Sequence, residues 1–368
     1  MQIDKLRLIH FRTYADQTVI FSDGINVITG KNAQGKTNLL EAVHYLTGGV
    51  SFRASTDREL ISFGEQDAEL TAEITGGGRK QTIQIGFGAG RKKRTSVNGV
   101  RLKSVSELAG RFTAVLFCPE DLAIIQSSPL YRRKLLDSCL CQMRPRYAGL
   151  LAEYRRLYEG KSRILKDRDE SMAAVLREYN EGMCRTGAEI IRYRAGISGI
   201  LAQNAADTHR DFSGGGEELS VVYQTVGTVT DPRASADIIA DQLAEHMDSH
   251  REAEWATGRC LSGVHKDDLQ ISINGQEARK YASQGQARTA AISLKMAERD
   301  ILQKDTGEYP VLLLDDVLSE LDLKRQDYIL NRSGTGQVLI TCCEEQTVAE
   351  KTGGRILRVA GGAVNETV

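Results

Sequence analysis

A run of eight residues near the N-terminus has the Gly-x4-Gly-Lys-Thr spacing of a phosphate-binding loop. Glycine at positions 30 and 35 lets the backbone pass close to a phosphate, so that successive N–H groups face the anion. Lys36 supplies a positive charge to the β- and γ-phosphates, and the Thr37 hydroxyl can bind Mg²⁺. The sequence therefore predicts a site for ATP and Mg²⁺. Its loop consists of Gly30, Lys31, Asn32, Ala33, Gln34, Gly35, Lys36 and Thr37.

Two consecutive aspartates end an apolar run much later in the chain. Residues 311–314 predict a buried strand, and Asp315 and Asp316 follow it directly. Asp315 is expected to hold Mg²⁺ beside Thr37, and Asp316 to orient the attacking water. An aspartate at this position can also serve as a helix N-cap or a turn residue. Together with the loop, the pair favours catalytic roles for Lys36, Asp315 and Asp316.

A third motif, Ser283-Gln284-Gly285-Gln286, opens a predicted helix shortly before the aspartates. Ser283 can cap that helix, which is by itself a sufficient reason for a serine there. The start of a helix is also an anion site, because its N–H groups and dipole face outward. We expect Ser283, Gly285 and Gln286 to bind the γ-phosphate held by a second subunit. The order of the three motifs predicts an ATPase head that dimerises around nucleotide.

The elements around these motifs can be predicted from periodicity and turn residues. Residues 25–29 are a short buried strand, and residues 38–47 have apolar side chains on one helical face. Residues 69–103 predict an antiparallel meander, with Asn98-Gly99 as a hairpin turn. Residues 129–212 predict mostly helix, and the glycines at 214–216 end that run. A strand over 219–229 and a helix over 235–255 are predicted after it.

The order of these elements predicts an α/β fold built from two lobes. We expect a nucleotide-binding lobe made of residues 1–125 and 303–368, which carries the phosphate loop and the aspartates. A mainly helical lobe, residues 126–302, is inserted between them and carries the Ser283 motif. The antiparallel meander belongs to the first lobe.

Composition narrows the class of protein. The chain of 368 residues has a formal net charge of −1, so attraction to a polyanion must come from local patches. No stretch of about 18 apolar residues and no secretion signal is evident, so we expect a cytoplasmic protein without a membrane partner. The seven cysteines are expected to be reduced thiols, and neither their spacing nor that of His246 and His250 favours a metal site.

Basic residues cluster in two places. Residues 131–168 contain eleven Lys and Arg against four Asp and Glu, a local charge of +7. Such clusters bind phosphates without reading sequence, although a solvated helix face has the same composition. The candidate DNA contacts are Arg132, Arg133 and Lys134 in the predicted helical lobe, and Arg91, Lys92 and Lys93 in the meander. The sequence leaves open which of the two clusters is the main DNA contact.

As a set, the motifs of this chain resemble those of the RecF family of ABC-type P-loop ATPase heads, and the resemblance extends from residue 1 to the strand at 338–341. The matching residues are Phe11-Arg12-Thr13-Tyr14, the loop 30–37 with Asn38-Leu39-Leu40-Glu41-Ala42, Ser51-Phe52-Arg53, Phe117-x-Pro119-Glu120-Asp121-Leu122, Arg132-Arg133-Lys134-x-Leu136-Asp137, Gly263-x-His265-Lys266-Asp267-Asp268-Leu269, Ser283-Gln284-Gly285-Gln286, and Leu313-Leu314-Asp315-Asp316 with Ser319-Glu320-Leu321-Asp322.

The resemblance implies roles for further residues. Arg12 and Arg53 are expected to contact nucleotide phosphates or to support the loop. Asp322 would lie in a loop that meets the second subunit. Transporter-type heads carry a glutamate where this chain has Asp316, and a histidine after the strand that ends here in Thr341-Cys342-Cys343. A shorter acid and no histidine suggest slow hydrolysis.

The resemblance also implies an activity. We expect a weak DNA-dependent ATPase of recombinational repair and replication-fork maintenance. ATP would join two copies into a clamp on duplex DNA or on single-strand/duplex junctions, and hydrolysis would release it. RecR and RecO are the expected protein partners in loading a recombinase at gaps. Two alternatives are a structural DNA tether of the SMC type and the ATPase subunit of a transporter. The inserted lobe is too short and too irregular in heptads for a long coiled coil.

Overall fold

The computed structural model describes residues 1–168, 170–318, 321–333, 336–343 and 353–366. The chain divides into two compact units. Unit 1 comprises Met1–Asp121 and Glu298–Val368, and unit 2 comprises Leu122–Ala297. The described residues do not include Ser319 and Glu320, the first two residues of the predicted motif at 319–322.

The bounds of the regular elements are as follows. The strands are β1 (Gln2–Phe11), β2 (Tyr14–Ile20), β3 (Ile25–Thr29), β4 (Asp67–Gly76), β5 (Arg79–Gly88), β6 (Arg91–Val97), β7 (Val100–Arg101), β8 (Ala114–Phe117), β9 (Leu219–Gln224), β10 (Asp268–Ile273), β11 (Gln276–Glu277), β12 (Val311–Asp315), β13 (Val338–Cys342), β14 (Arg355–Ala360) and β15 (Ala363–Glu366). The α-helices are α1 (Lys36–Tyr45), α2 (Leu122–Gln126), α3 (Pro129–Met143), α4 (Pro145–Asp167), α5 (Ala173–Ser213), α6 (Ala236–Ser249), α7 (Arg251–Thr257), α8 (Ala278–Tyr281), α9 (Gln284–Thr306) and α10 (Leu323–Ser333).

The first sheet of unit 1 is an antiparallel meander in the order β2-β1-β4-β5-β6-β7. Along β4, buried and exposed side chains alternate, as expected for a sheet with one face against a core. Asn98 and Gly99 both have positive φ angles, 51° and 77°, and form the two-residue turn between β6 and β7. The predicted meander and its Asn-Gly turn are confirmed.

The second sheet of unit 1 has the order β15-β14-β3-β13-β12-β8, and only the β14–β15 pair is antiparallel. Strands β12 and β13 are buried at every position, because both faces of a parallel sheet are covered. The carboxyl ends of parallel strands meet at one edge. In this register Asp315 lies opposite Thr341, and Cys342 lies opposite Thr29.

Helix α1 belongs to the hydrophobic core that the two sheets of unit 1 share. Leu39, Leu40 and Val43 of the helix are fully buried in one cluster with Leu6 of the first sheet and Leu313 of the second. Burial of these apolar side chains in the shared core therefore fixes the helix that follows the phosphate loop.

Unit 2 is mainly helical. The 41-residue helix α5 packs against α4, α6 and β9, and it ends at Gly214, which has a left-handed φ of 64°. A small antiparallel sheet, β11-β10-β9, packs against α3 and α5. Because α5 is covered by its own unit, the helices form a folded body rather than the extended coiled coil of a tether.

Several predicted elements differ from the structure in extent. The predicted helix over 235–255 is two helices, α6 and α7, because the backbone leaves helical geometry at His250. The strand predicted over 219–229 ends at Gln224, and a turn follows in which Val229 N donates to Val226 O at 3.0 Å. Strands β2, β14 and β15 were not predicted, because each is short and lacks a regular alternation of apolar and polar residues.

Candidate nucleotide-binding site

The phosphate loop lies between β3 and α1, as predicted. Gly30 has a φ of 152°, and a Cβ atom there would lie 2.2 Å from the carbonyl oxygen of Val359. Gly35 has a φ of 117°, and its Cβ would lie 2.8 Å from Thr13 Oγ1. Both positions therefore require glycine on steric grounds. Leu39 N donates to Gly35 O at 3.1 Å, so the first helical turn begins directly at the loop.

Lys36 is buried and its side chain turns back over its own loop. Its Nζ donates to Gly30 O at 2.5 Å and to Lys31 O at 3.2 Å, and it lies 3.4 Å from Cys343 Sγ. The Cys343 thiol in turn donates to Asn32 Oδ1 at 2.9 Å. Neutral partners thus hold the ammonium group at the centre of the loop. A phosphate oxygen would take their place as a charged partner and bind the ammonium group more strongly.

The two predicted metal ligands are in contact. Thr37 Oγ1 donates to Asp315 Oδ1 at 3.0 Å, and Thr341 Oγ1 donates to the same oxygen at 2.8 Å. Thr341 Oγ1 also accepts from Asp316 N at 2.9 Å. Burial raises the pKa of Asp315, while the hydrogen bonds from Thr341 and Thr37 and the charge of Arg53 oppose that rise. The result is a cluster of oxygen atoms where the start of α1 meets the ends of β12 and β13.

Thr341 was not predicted as a site residue. It is the penultimate residue of β13, the strand that lies beside β12, and the register places it directly opposite Asp315. The available signal was a hydroxyl residue at the carboxyl end of a second apolar strand. That signal has meaning only once the strand order is known, since the carboxyl ends of adjacent parallel strands share an edge.

A cavity of about 230 Å³ opens at this point, and the residues around it belong to unit 1. It brings together most of the predicted nucleotide-binding and catalytic residues. The lining consists of Asn32, Ala33, Gly35, Lys36, Thr37, Asn38, Arg53, Asp315, Asp316 and Thr341. Asp316 has a left-handed φ of 54° and is exposed, so its carboxylate is presented at the edge of the strand rather than within the core.

Gln34 of the phosphate loop binds the turn between β14 and β15. Its Oε1 accepts from Gly361 N at 2.6 Å, and its backbone O accepts from Gly362 N at 3.3 Å. A Cβ at Gly362 would lie 2.2 Å from Thr13 O, so this close approach also needs glycine. A C-terminal hairpin that the sequence did not predict therefore supports the loop.

The two predicted arginines of unit 1 differ in their contacts. Arg12 donates two hydrogen bonds of 2.8 Å to the carboxylate of Glu41 in α1, and a third to Glu59 O. Glu41 is fully buried, so Arg12 compensates its charge and supports the helix behind the loop. Arg53 lines the cavity and lies 3.4 Å from Asn38 Oδ1.

The Ser283 motif opens α9 as a reciprocal cap. Gln286 N donates to Ser283 Oγ at 3.3 Å, and Ser283 N donates to Gln286 Oε1 at 2.9 Å. The predicted capping role of Ser283 is confirmed. Ser283 and Gly285 are exposed, and Gln286 is half-buried. All three belong to unit 2. Their binding to a γ-phosphate stays a prediction.

Of the candidate DNA contacts in unit 2, only Lys134 is exposed. Arg132 is 4% exposed, and its guanidinium binds both carboxylate oxygens of Asp268, at 2.5 and 3.0 Å. Arg133 is half-buried and donates to Asp267 O at 2.7 Å. Burial lowers the pKa of Arg133. Arg132 is therefore an internal structural cation, and its position is incompatible with a direct contact to a phosphate backbone.

The basic stretch of the meander divides in the same way. Arg91 and Lys92 are exposed. Lys93 is mostly buried, lies 3.1 Å from Asp57 Oδ2 and 4.7 Å from the ring centre of Tyr45, and donates to Gly49 O. Arg91 and Lys92 thus remain candidates for phosphate contacts, whereas Lys93 ties β6 to neighbouring loops.

Three further features bear on the class of protein. Asp322 opens α10 by accepting from Arg325 N at 2.9 Å, as an N-cap does. None of the helices in the described part of the chain combines the length and apolar character that a bilayer crossing demands. Within residues 1–168, 170–318, 321–333, 336–343 and 353–366, no group of three or more His, Cys, Asp or Glu side chains could hold a metal ion.

The parallel sheet, the phosphate loop, the paired aspartates and the antiparallel meander define an ABC-type ATPase head. Residues 2–362 match the model of the RecF/RecN/SMC N-terminal domain. The chain is 37% identical over 343 residues to the DNA replication and repair protein RecF of Clostridium kluyveri, covering 93% of each chain. It belongs to the RecF family of this class.

Solved structures agree with that assignment. A structure of the recombination mediator protein RecF-ATPrS in the RecFOR pathway is 32% identical, covers 100% of this chain and 98% of that chain, and superposes with a TM-score of 0.91. An Smc head domain derived from Pyrococcus furiosus is 18% identical, covers 99% of this chain and 95% of that chain, and has a TM-score of 0.55. The second match concerns the fold alone. The predicted fold class is confirmed.

Proposed function

We propose that this chain binds ATP with Mg²⁺ in the cavity of unit 1, and that bound ATP joins two copies into a clamp on DNA. The observation that carries the proposal is the contact between Thr37 and Asp315, with Thr341 on the same carboxylate oxygen. Such a cluster links the phosphate loop to the acidic strand end. A homologue, 33% identical over 100% of this chain, is described as RecF-ATP.

The donor set at this edge fits Mg²⁺. Hard cations of this size prefer carboxylate and hydroxyl oxygens, and Thr37 and Asp315 supply one of each. When bound, Mg²⁺ would neutralise charge that develops on the phosphate oxygens. Lys36 would contribute a second positive charge from within the loop, and the loop N–H groups would hold the β-phosphate. Asp316, at the exposed strand end, would orient and polarise the attacking water.

The Ser283 motif is proposed to complete the site of a second copy. Its helix start combines the positive end of the helix dipole with an exposed serine hydroxyl, and these two features suit a γ-phosphate. Each nucleotide would then lie between residues 30–37 of one subunit and residues 283–286 of the other. Hydrolysis to ADP and phosphate would remove the bridging group and so release the pair.

The test is the mass of the protein by light scattering with ATP, with ADP and without nucleotide. We expect a dimer only with ATP. Lys36→Met removes a charged contact to phosphate, and we expect ATP affinity to fall by about 10- to 100-fold, with loss of the dimer. Ser283→Arg is expected to keep ATP binding and to block association. A Ser283→Arg protein that fails to bind ATP would show that this residue acts in its own subunit.

DNA binding is proposed through exposed cations only. Arg91, Lys92 and Lys134 are exposed and can approach phosphates, whereas Arg132 is committed to Asp268. Relatives named for DNA replication and repair support a DNA partner. By the same family membership, we propose a role in recombinational repair with RecO and RecR, with weak, DNA-dependent hydrolysis of ATP.

The salt dependence of duplex binding tests these cations. Each neutralised phosphate contact contributes about −0.9 to the slope of log K against log salt concentration. We expect Arg91→Gln, Lys92→Gln and Lys134→Gln to reduce that slope by about one unit each. Lys5→Gln, which removes an exposed charge paired with Glu73, is the control. An unchanged slope in the triple variant would remove these residues from the interface.

A further inference from the structure

Glu217 connects the Ser283 motif to the interior of unit 2. It follows the glycines that end α5, and its two carboxylate oxygens have different partners. Gln286 Nε2 donates to Glu217 Oε1 at 2.8 Å, and His209 Nε2 lies 3.0 Å from Glu217 Oε2. His209 is fully buried, so one end of this chain of contacts is fixed in the core. The other end is the exposed start of α9.

The amide of Gln286 is oriented by both of its ends. Its nitrogen donates to Glu217, and its oxygen accepts from Ser283 N at 2.9 Å. A carboxylate accepts only, so Glu217 selects the amide orientation in which Oε1 points to Ser283. The reverse orientation would place two donors, the amide nitrogen and Ser283 N, against each other. Glu217 therefore ensures that the oxygen of the glutamine amide, and not its nitrogen, contacts Ser283 N.

The hydroxyl of Ser283 depends on the same arrangement. Ser283 Oγ accepts from Gln286 N at 3.3 Å. An oxygen that accepts a bond on the helix side directs its own hydrogen away from that side, towards an outside acceptor. A phosphate oxygen is such an acceptor. The reciprocal cap thus fixes the serine backbone through its N–H and directs the hydroxyl hydrogen outward.

Glu217 is itself held by its local backbone. Gly214 and Gly215 have positive φ angles of 64° and 84°, which bring the chain back over the end of α5. Glu217 N donates to Ser213 Oγ at 3.3 Å. The adjacent Glu218 is exposed, and Asn274 Oδ1 accepts from its backbone N at 2.7 Å. Two neighbouring glutamates therefore have the same charge, but only the first reaches the motif through its side chain.

We propose that Glu217 is a positioning residue for ATP-driven association: acting through Gln286, it holds Ser283 ready to donate to the γ-phosphate of a second copy. This role rests on the proposed function. Glu217 is not among the residues that line the cavity of unit 1, and its contribution passes through one glutamine side chain.

The test compares Glu217→Ala with Glu218→Ala, which removes the same charge without the contact. A hydrogen bond to a charged group contributes on the order of tenfold in an equilibrium constant. We expect Glu217→Ala to lower the ATP-dependent association constant about tenfold and to leave ATP affinity of the monomer unchanged. Glu218→Ala is expected to match the wild type. Glu217→Gln keeps an acceptor for Gln286 Nε2 and should recover most of the loss.

A double-mutant cycle with Gln286→Ala separates positioning from general structure. If Glu217 acts through Gln286, Glu217→Ala adds no further loss in the Gln286→Ala background. Additive losses, or a Glu217→Ala protein that associates like Glu218→Ala, overturn the proposal.

Amide hydrogen exchange of the nucleotide-free chain judges the role independently of association. We expect Glu217→Ala to speed exchange at the N–H groups of Ser283 and Gln286, and Glu218→Ala to leave it unchanged. If the wild-type protein does not dimerise with ATP, the proposed function is wrong. The exchange rates still show in that case whether Glu217 positions the motif. Equal exchange rates in the two variants reject the positioning role.

Discussion

The nucleotide cavity of unit 1 and the buried polar core of unit 2 use charged residues in opposite ways. Around the cavity, Lys36 is held by carbonyl oxygens and a thiol, and Asp315 by two threonine hydroxyls. In unit 2, Arg194 is 2% exposed and binds Asp137 and Asp267 directly. The cavity charges have neutral partners that a ligand can replace, whereas the core charges neutralise one another.

The polar core is also more completely hydrogen-bonded. Asp267 is fully buried and accepts from Arg194 at 2.7 Å, from Tyr223 at 2.5 Å and from Thr225 at 2.7 Å. The Asp267–Asp268 pair belongs to a motif that resembles the RecF family, but the sequence suggests no role for it. In the structure it links α3, α5 and β9, because Asp268 binds Arg132 and Asp267 binds Arg194 and Tyr223. A charged motif can therefore serve the fold rather than chemistry.

The comparison teaches which charges remain available to a ligand. A buried ion needs partners, and the kind of partner decides its role. Hydroxyl and carbonyl partners leave the net charge of Lys36 or Asp315 uncompensated, so phosphate or Mg²⁺ can still gain energy by binding. Carboxylate partners remove that gain at Arg194 and Arg132.

The largest expected effect breaks the polar core. Arg194→Met leaves Asp137 and Asp267 without their cation, and removing one partner of a buried ion pair costs about 3–5 kcal/mol. We expect the free energy of unfolding in urea to fall by that amount. Arg192→Met is the matched control, since Arg192 is 45% exposed and lies 3.9 Å from Glu189. Its loss should cost less than about 1 kcal/mol. Similar losses in the two variants would contradict the structural role of Arg194.

A second test uses pH at His265, which belongs to the same core. Burial lowers its pKa from 6.5 to about 4, and its Nδ1 lies 3.1 Å from Tyr154 Oη. Between pH 4 and pH 6.5 the unfolded chain binds a proton at this histidine that the folded chain does not. The free energy of unfolding is therefore highest above pH 6.5 and falls as the pH is lowered towards 4. The full loss in the free energy of unfolding is roughly 3 kcal/mol.

The measurement is urea unfolding of wild type and His265→Gln at pH 7.5 and pH 5. Glutamine keeps a donor and an acceptor but does not titrate in this range. We expect the stability of the variant to change less between the two pH values than that of the wild type. Equal changes would mean that His265 does not titrate with the shifted pKa.

The smallest expected effect sharpens the other side of the comparison, the cavity. Thr341→Val preserves shape but removes the donor to Asp315 and the acceptor for Asp316 N. A hydrogen bond between neutral groups is worth about 0.5–1.5 kcal/mol, and one to a carboxylate is worth more, so we expect Mg²⁺-dependent ATP binding to weaken by about tenfold. ATP binding without Mg²⁺, measured by calorimetry, should stay unchanged and is the internal control. A loss of both would assign Thr341 to the fold rather than to the metal site.

Local motifs predicted the cavity well because their residues are adjacent in the chain. The loop at 30–37 and the strand end at Asp315 each consist of consecutive residues, and the cavity combines them. Thr341 and the turn at Gly361–Gly362 were missed, because they act on the site through strand order and a hairpin that short-range patterns do not reveal. Asn38 follows Thr37 directly and also lines the cavity, but it lies outside the loop motif and was not predicted as a site residue.

The basic cluster of unit 2 marks the limit of reading charge from sequence. Residues 131–168 carry a local charge of +7, which predicted a surface for DNA. Arg132 lies inside the unit, and Lys161 is also buried, 2.8 Å from Glu254. Their partners, Asp268 and Glu254, are about a hundred residues away along the chain. A count of local charge includes such internal cations, so it overestimates the exposed charge.

Spacing and periodicity along the chain are sufficient to predict the phosphate loop, the acidic strand end, the helix cap at Ser283 and the class of fold. The same patterns do not reveal that Thr341 joins Asp315, that Arg132 is internal or that Glu217 reaches Gln286. These pairs are made by strand order and helix packing. A side chain's partner depends on which distant segment the fold brings beside it, and burial then decides whether its charge is left for a ligand.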